Sequence, residues 1–202
     1  MRRTIRKPAP PHDGRGRPRS PAIDEAVLQA AFRLMAQHGY ARTSIDAIAA
    51  AAGVTKPSIY LRFPGGKADV ATKALAHARD RRIVPETGET RADLIAHVRY
   101  FRKGVSRPFG MAMIGTVLAE EHDTPQLLAF FRTHVIKPRR AMLRAVFARA
   151  RERGELRPDA DLEMGAQMLV GAYYAQYLAG IPFREGWDAQ VVDTVLKGLR
   201  RA

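Results

Sequence analysis

Hydroxyl-bearing and cationic side chains are concentrated between residues 55 and 67. Such groups bind phosphate oxygens, and those that reach the edges of bases can distinguish one base pair from another. The cluster therefore indicates contact with a nucleic acid, and an ordinary solvated helix surface is the alternative. Its members are Thr55, Lys56, Ser58, Tyr60, Arg62 and Lys67.

A tight turn between two short helices is predicted to position this cluster. The first helix, 44–52, is rich in alanine, so another helix can cross it closely. It is predicted to begin at a capping box, in which the Thr43 hydroxyl caps the helix while Asp46 reaches back. Gly53 permits a positive φ in the turn that follows.

The second helix, 56–62, is predicted to begin with Thr55 as its cap. Pro57 falls in the first turn, where its missing N–H costs nothing. Ile59 and Phe63 lie four residues apart and must face inward, so the polar side chains face outward. A short helix with such a surface suits the major groove of DNA, while the preceding helix crosses the backbone.

The composition of the 202-residue chain favours a polyanionic partner. The net charge is +14, which suits DNA, RNA or an acidic membrane surface. Cysteine is absent, which excludes a disulfide framework and Cys-ligated metal centres. No apolar run approaches the roughly 18 residues that span a bilayer, and no signal-peptide pattern is present. We expect a cytoplasmic, nucleoid-associated protein that uses no membrane, metal or cofactor.

Residues 1–21 are predicted to be a flexible basic arm. They contain seven Lys or Arg residues against one Asp, and their prolines and glycines oppose a helix. Arg15, Arg17 and Arg19 belong to an Arg-Gly-Arg-Pro-Arg run that is similar to the core of an AT-hook. Arginines suit the negative potential of a narrow minor groove. A solubilising tail is the alternative.

The remaining sequence predicts an all-α fold of about nine helices. Pro138 is expected to kink or split the seventh of them. The helix-turn-helix DNA-binding domain would cover 22–67, with the fourth helix as a connector to about 82 and a second helical domain over 83–202. The predicted helices cover 22–38, 44–52, 56–62, 66–82, 90–105, 109–121, 125–153, 159–179 and 186–201.

Residues 15–75 resemble the DNA-binding domain of the TetR/AcrR family of repressors. Order, spacing and residue type agree over about a third of the chain. The matching run is Gly39-Tyr40, Thr43-Ser44-Ile45, Ile48-Ala49, Ala52-Gly53-Val54-Thr55-Lys56, Ser58-Ile59-Tyr60, Phe63 and Lys67.

The resemblance implies a role for each polar residue of this domain. Phosphate contacts would come from Thr43, Tyr60 and Lys67. Arg62 would contact a base or a phosphate, and Leu61, where the family often has a larger polar or aromatic residue, can give only apolar contact. The start of the recognition helix would be Thr55, Lys56, Pro57 and Ser58.

The resemblance also implies a ligand cavity and a dimer interface in the second domain. For both sets of residues, a place in the protomer core is the alternative. The candidates for the cavity are Tyr100, Phe101, Met111, Met113, Ile114, Val117, Phe130, Phe131, His134, Met168, Tyr173 and Tyr174. The candidates for the interface, on the last two helices, are Leu169, Tyr177, Val191, Val192, Val195, Leu196 and Leu199.

These observations leave three functions to compare. The first is a dimeric repressor that binds palindromic double-stranded operator DNA and is released by a small-molecule effector, with an activator of the same family as a variant. The second is a ligand-independent architectural DNA-binding protein. The third is an enzyme, which the lack of a Ser–His–Asp set and of a phosphate loop disfavours.

Overall fold

The computed structural model describes residues 20–78, 84 and 86–200, and this part of the chain is helical without any strand. The predicted all-α fold is confirmed. Within the described residues, no helix is both long and apolar enough to cross a membrane. The helices are α1 (Pro21–His38), α2 (Ile45–Ala52), α3 (Lys56–Arg62), α4 (Gly66–Ala78), α5 (Thr90–Val105), α6 (Gly110–Ala119), α7 (Pro125–Phe131), a π-helical turn (Arg132–Ile136), α8 (Lys137–Glu152), α9 (Leu162–Leu178) and α10 (Trp187–Leu199).

The predicted seventh helix follows an unbroken path but changes its winding. The π turn joins α7 to α8 directly before Pro138. A proline ring collides with the carbonyl four residues earlier, here that of His134, and supplies no N–H. The wider turn, in which the N–H of Lys137 bonds to the carbonyl of Arg132, accommodates the proline without ending the helix.

Residue Pro21, predicted to belong to the arm, begins α1 instead. It occupies the first turn of the helix after Ser20. A fixed φ is favourable there, and the N–H that proline lacks would have had no partner within the helix. The predicted arm is therefore one residue too long.

Two hydrophobic clusters hold the molecule together. The first contains residues of all four helices α1–α4 together with residues of α6 and α7. Val27, Ile59 and Val117 are among its members. The second joins α5, α8, α9 and α10 around Phe147 and Tyr173. Because α6 and α7 contribute to the first cluster, the N-terminal helices rest directly on the C-terminal ones. We call α1–α4 the head and α5–α10 the body.

One buried hydrogen bond also crosses from the body to the head. The hydroxyl of Thr116, on α6, donates to the carbonyl of Met35 at 3.0 Å. That carbonyl lies in the last turn of α1 and also accepts a hydrogen bond from the N–H of the cap residue Gly39 at 2.9 Å. A movement of α6 would therefore act on the end of α1.

The turn between α5 and α6 is unusually tight. Phe109 adopts a left-handed conformation with φ 69°, although it is not a glycine. Next to it, a Cβ added to Gly110 would lie 2.4 Å from the carbonyl oxygen of Val105. The turn therefore needs glycine at 110 because of this close backbone approach.

Candidate nucleic-acid interface

Ser44, and not Thr43, caps α2. The Ser44 hydroxyl accepts a hydrogen bond from the N–H of Ala47 at 3.1 Å. Thr43 is 3% exposed and donates its hydroxyl to the carbonyl of Gly39 at 2.8 Å. The predicted capping box is wrong, because the Asp46 carboxylate bonds to Lys56 and Thr43 is turned inward. The Thr43 hydroxyl would have to break its own hydrogen bond before it could bind a phosphate.

The turn and the buried face of α3 follow the prediction. Gly53 is left-handed with φ 67°, and the Thr55 hydroxyl accepts from the N–H of Ser58 at 3.4 Å. Ile59 is completely buried and Phe63 nearly so. A buried face, a cap and a tight turn therefore fix the direction of α3.

The opposite side of α3 is open to solvent. Leu61 is 75% exposed and Tyr60 is 45% exposed, although both are large apolar or aromatic residues. An exposed leucine surrounded by polar groups suits apolar contact, for example with the methyl group of a thymine. We call this surface the reader face, and its residues are Thr55, Lys56, Pro57, Ser58, Tyr60 and Leu61.

An ion pair joins the reader face to α2. The Lys56 ammonium lies 3.0 Å from an Asp46 oxygen, and this hydrogen bond raises the pKa of Lys56. Both side chains are well exposed, so solvent screens the pair and Lys56 can exchange the carboxylate for DNA. Asp46 was predicted to be part of a helix cap. No local sequence pattern indicates that it lies beside Lys56, which is ten residues away.

Arg62 does not belong to the reader face. Its guanidinium donates to an Asp24 oxygen at 2.6 Å and to the Ser20 carbonyl at 3.4 Å, and its side chain is 12% exposed. The side chain ties the end of α3 to the start of α1 and would have to leave Asp24 to reach a base or a phosphate, so its predicted contact with DNA stays a prediction.

Lys67 is also engaged within the head. Its ammonium donates to the carbonyls of Tyr40 at 3.0 Å and Ala41 at 3.4 Å, and lies 4.1 Å from the centre of the Tyr40 ring. These contacts attach the start of α4 to the turn that follows α1. The predicted phosphate contact of Lys67 stays a prediction. Arg15, Arg17 and Arg19 lie outside the described residues.

Three of the polar residues of the reader face should respond differently to substitution. Tyr60→Phe removes one hydroxyl that is expected to bind a phosphate, and should weaken binding to all DNA sequences about equally. Lys56→Ala and Ser58→Ala should instead change the preference among sequences, by about 1–3 kcal/mol at the affected base pair. Mobility-shift titrations against operator and mismatched DNA measure both effects. Identical behaviour of the three variants would contradict this division of contacts.

The predicted cavity residues do not gather around one cavity. Met168 lies on an outer groove of α9 and α10, Val117 is fully buried in the first cluster, and Tyr100 is half-buried. Phe130 and His134 stack on each other at the surface of α7 and the π turn. The others line three separate spaces. Phe101 and Tyr174 line a cavity of about 240 Å³, and Met113, Ile114 and Phe131 line one of about 80 Å³. Met111 and Tyr173 line an open cleft of about 570 Å³.

Most of the predicted dimer residues close the protomer core instead. Tyr177 is 47% exposed and Val191 is half-buried, so these two remain accessible. The α10 residues are buried because the apolar stripe of this helix packs on α5 and α9 of its own chain. The five buried residues are Leu169, Val192, Val195, Leu196 and Leu199.

A different stripe on α9 faces outward. Met164 and Met168 are each 50% exposed, and Leu178 is 79% exposed. Together with two small exposed residues they follow helical spacing, and only Met168 among them was a candidate residue in the sequence, for the ligand cavity. We call this surface the α9 outer stripe, and its residues are Met164, Met168, Gly171, Ala175 and Leu178.

Two family models match the chain in succession. Residues 27–74 match the model for bacterial regulatory proteins of the tetR family. Residues 84–195 match the model for a tetracyclin repressor-like C-terminal domain. The first range contains the reader face, and the second contains α5 to α9 with most of α10.

Individual relatives align over nearly the whole chain. The HTH-type transcriptional regulator YdeS of Bacillus subtilis is 27% identical over 92% of this chain and 94% of its own length. The DNA-binding transcriptional repressor TetR of Mycobacteroides abscessus is 31% identical over 87% and 93%. Among solved structures, the repressor MexZ of Pseudomonas aeruginosa has the same fold, with a TM-score of 0.70 at 20% identity over 91% and 97%. The relatives that align are transcription regulators, so the enzymatic interpretation has no support among them.

Proposed function

Because the chain belongs to the TetR family of bacterial transcription regulators, we propose that it is a dimeric repressor of a near-palindromic operator that a small-molecule effector releases. Its binding to DNA as a regulator follows from the family. Repression is proposed because relatives such as the Mycobacteroides protein and MexZ are named as repressors. Since its target is DNA, its place of action would be the nucleoid.

The observation that carries the proposal is the reader face. A helix that is capped, buried on one side and exposed on the other presents its N-terminal residues at a fixed angle, as entry into a major groove requires. The first buried cluster supports this view, because Ile59 anchors α3 to the other head helices.

A dimer is proposed because one seven-residue recognition helix reads too little sequence. Two such helices about 34–36 Å apart would read successive major grooves of one operator. The α9 outer stripe supplies an apolar face for this contact, and it borders a groove of about 700 Å³ that also includes Val191 and Trp187. A large exposed apolar surface of this kind marks an interaction site.

Release by an effector is supported by the direct contact between body and head. An effector that prefers a body conformation in which α6 has moved would shift the population away from the operator-binding form. The Thr116 hydrogen bond to Met35 and the shared first cluster would transmit that movement to α1. An activator with the same architecture is the variant of this proposal.

A competition titration tests the proposal against the architectural alternative. The full chain is titrated against the upstream region of its own gene, with unrelated DNA as the competitor, in a mobility-shift assay. We expect preference of at least a thousandfold for the operator. Equal affinity for both DNAs would favour the architectural protein, which binds through charge alone.

The basic arm should contribute affinity that depends on salt. The head from residue 20 to 78 has six Lys or Arg residues against four Asp or Glu, whereas the preceding 19 residues have seven against one. Deleting residues 1–19 should therefore weaken operator binding and reduce the salt slope by about 0.9 per lost phosphate contact. Titrations at several salt concentrations measure this slope, and an unchanged slope would refute the role of the arm.

A further inference from the structure

An open cleft of about 570 Å³ lies between the α5–α6 turn and the loop that follows α9. Its volume falls within the range of about 300–1,000 Å³ that is usual for small-molecule sites. The turn and the start of α6 contribute Phe109 and Met111 to the lining, while α9 and its loop contribute Tyr177 and Phe183. We call this space the aromatic cleft. Such a lining suits a flat and largely apolar molecule.

Three aromatic rings at the aromatic cleft are nearly parallel. The rings of Phe183 and Tyr173 are inclined by 16° with their centres 4.9 Å apart. Those of Tyr173 and Tyr177 are inclined by 18° with their centres 6.2 Å apart. Tyr173 is 1% exposed, whereas Tyr177, at the end of the series, is 47% exposed. A planar aromatic ligand would extend this series by stacking on Tyr177, an arrangement that aromatic rings favour.

A pair of hydroxyl groups supplies a polar part of the same lining. The hydroxyl oxygens of Ser106 and Tyr173 lie 3.2 Å apart, and both residues line the cleft. The hydrogen bond between them uses one of their two O–H donors, so a donor and several lone pairs are left for a ligand hydroxyl. Arg107 is the only charged residue among the described residues of the lining, and it already has an interaction of its own. A neutral ligand therefore suits the cleft.

We propose that the aromatic cleft binds the effector, and that the effector is a neutral, planar phenol. Its ring would stack on Tyr177, and its hydroxyl would bond to the pair formed by Ser106 and Tyr173. Because an effector is part of the proposed function, this inference rests on it and adds the site and the chemical class.

The aromatic cleft is placed where a ligand can act on the head. Phe109 has a φ of 69° directly before α6, a conformation that residues other than glycine seldom adopt. A ligand that displaces the Phe109 ring would allow this turn to relax and the start of α6 to move. Thr116 lies on the same helix and donates its hydroxyl to the Met35 carbonyl of α1. The movement would therefore reach the head.

Matched pairs of aromatic and saturated alcohols test the inference on the full chain. We would compare 2-naphthol with decahydro-2-naphthol, and 4-phenylphenol with 4-cyclohexylcyclohexanol, by equilibrium dialysis at pH 7, where phenols are neutral. The members of each pair share their carbon skeleton and their hydroxyl, and only the aromatic member can stack. At least one phenol should bind about fivefold or more tightly than its saturated partner.

Three variants locate the site. Tyr177→Leu removes the exposed ring and should abolish the preference for the phenol. The control Phe130→Leu removes a half-buried ring of α7 outside the cleft and should keep it. Ser106→Ala should weaken both members of the pair about threefold or more, because both use the hydroxyl pair.

A mobility-shift titration at a saturating concentration of the preferred phenol tests its role as effector. The operator affinity should fall about fivefold or more, a usual size for coupling between two sites. Unchanged operator affinity would overturn the inference, as would binding of neither phenol or equal binding within both pairs. A preference that survives in Tyr177→Leu, or binding that Ser106→Ala leaves unchanged, would overturn it as well.

The outcomes also separate this inference from the proposed function. The comparison within a pair uses the unaltered chain and does not depend on whether a variant folds. Operator preference without binding of either phenol overturns the inference alone. Phenol binding that depends on Tyr177, in a chain without operator preference, supports the site and overturns the proposed function.

Discussion

Met168→Arg is expected to convert the proposed dimer into a monomer and to lower operator affinity about a hundredfold or more. Met168 lies in the middle of the α9 outer stripe and is 50% exposed in the protomer. An arginine there would place two like charges in a contact that we propose to be apolar, and they could not both be solvated. The monomer would keep its fold and its reader face. It would lose the contact with the second half-site, and linking two half-site contacts in one dimer is what raises the operator affinity.

The matched control is Leu118→Arg. Leu118 is 54% exposed on α6, away from the α9 outer stripe, so this variant adds the same charge without touching the proposed interface. Sedimentation analysis gives the oligomeric state, and a mobility-shift titration gives the affinity. A Met168→Arg protein that remains dimeric, or that binds the operator as well as the Leu118→Arg protein does, would show that the dimer forms elsewhere.

Gly110→Ala is expected to destabilise the fold by about 2–3 kcal/mol. The added Cβ would lie 2.4 Å from the carbonyl oxygen of Val105 and 2.8 Å from its carbonyl carbon. These are backbone atoms, which cannot rotate away as the end of a flexible side chain can. The α5–α6 turn would have to open, and a protein of this size should lose about 5–10 °C in melting temperature.

Gly115→Ala provides the control of opposite sign within the same helix. A Cβ at position 115 meets no atom within 4 Å, and glycine inside a helix costs about 0.5–1 kcal/mol relative to alanine. This variant should therefore melt at a slightly higher temperature than the unaltered chain. Thermal melts followed by circular dichroism compare the two, and the account of the turn fails if both variants shift in the same direction.

Local chemistry allowed much of the head to be predicted from the sequence. The glycine at 53, the cap at Thr55 and the inward pair Ile59 and Phe63 are each determined within a few residues, and all are found as expected. The choice between Thr43 and Ser44 as the cap of α2 was wrong, because adjacent hydroxyls satisfy the same pattern. Only the burial of Thr43 against the Gly39 carbonyl distinguishes them.

Long-range partners could not be predicted in this way. Arg62 looks like a DNA contact in sequence, and its pairing with Asp24, 38 residues away, depends on how α1 crosses α3. The same limit applies to Leu169 and Leu196, since periodicity identifies an apolar stripe but does not say which protein surface covers it. The residues predicted to line one cavity are spread over several places for a similar reason. Residues of α6 and α7 pack in the same hydrophobic cluster as the head helices.

We propose that two copies of this chain read one operator through the reader face. Selection of binding sites from random DNA, using the full chain at physiological salt, tests it most directly. We predict an enriched inverted repeat whose half-site centres are about one helical turn, 10–10.5 base pairs, or a multiple of it apart. A pool without any enriched motif, or with a single unrepeated site, would contradict it.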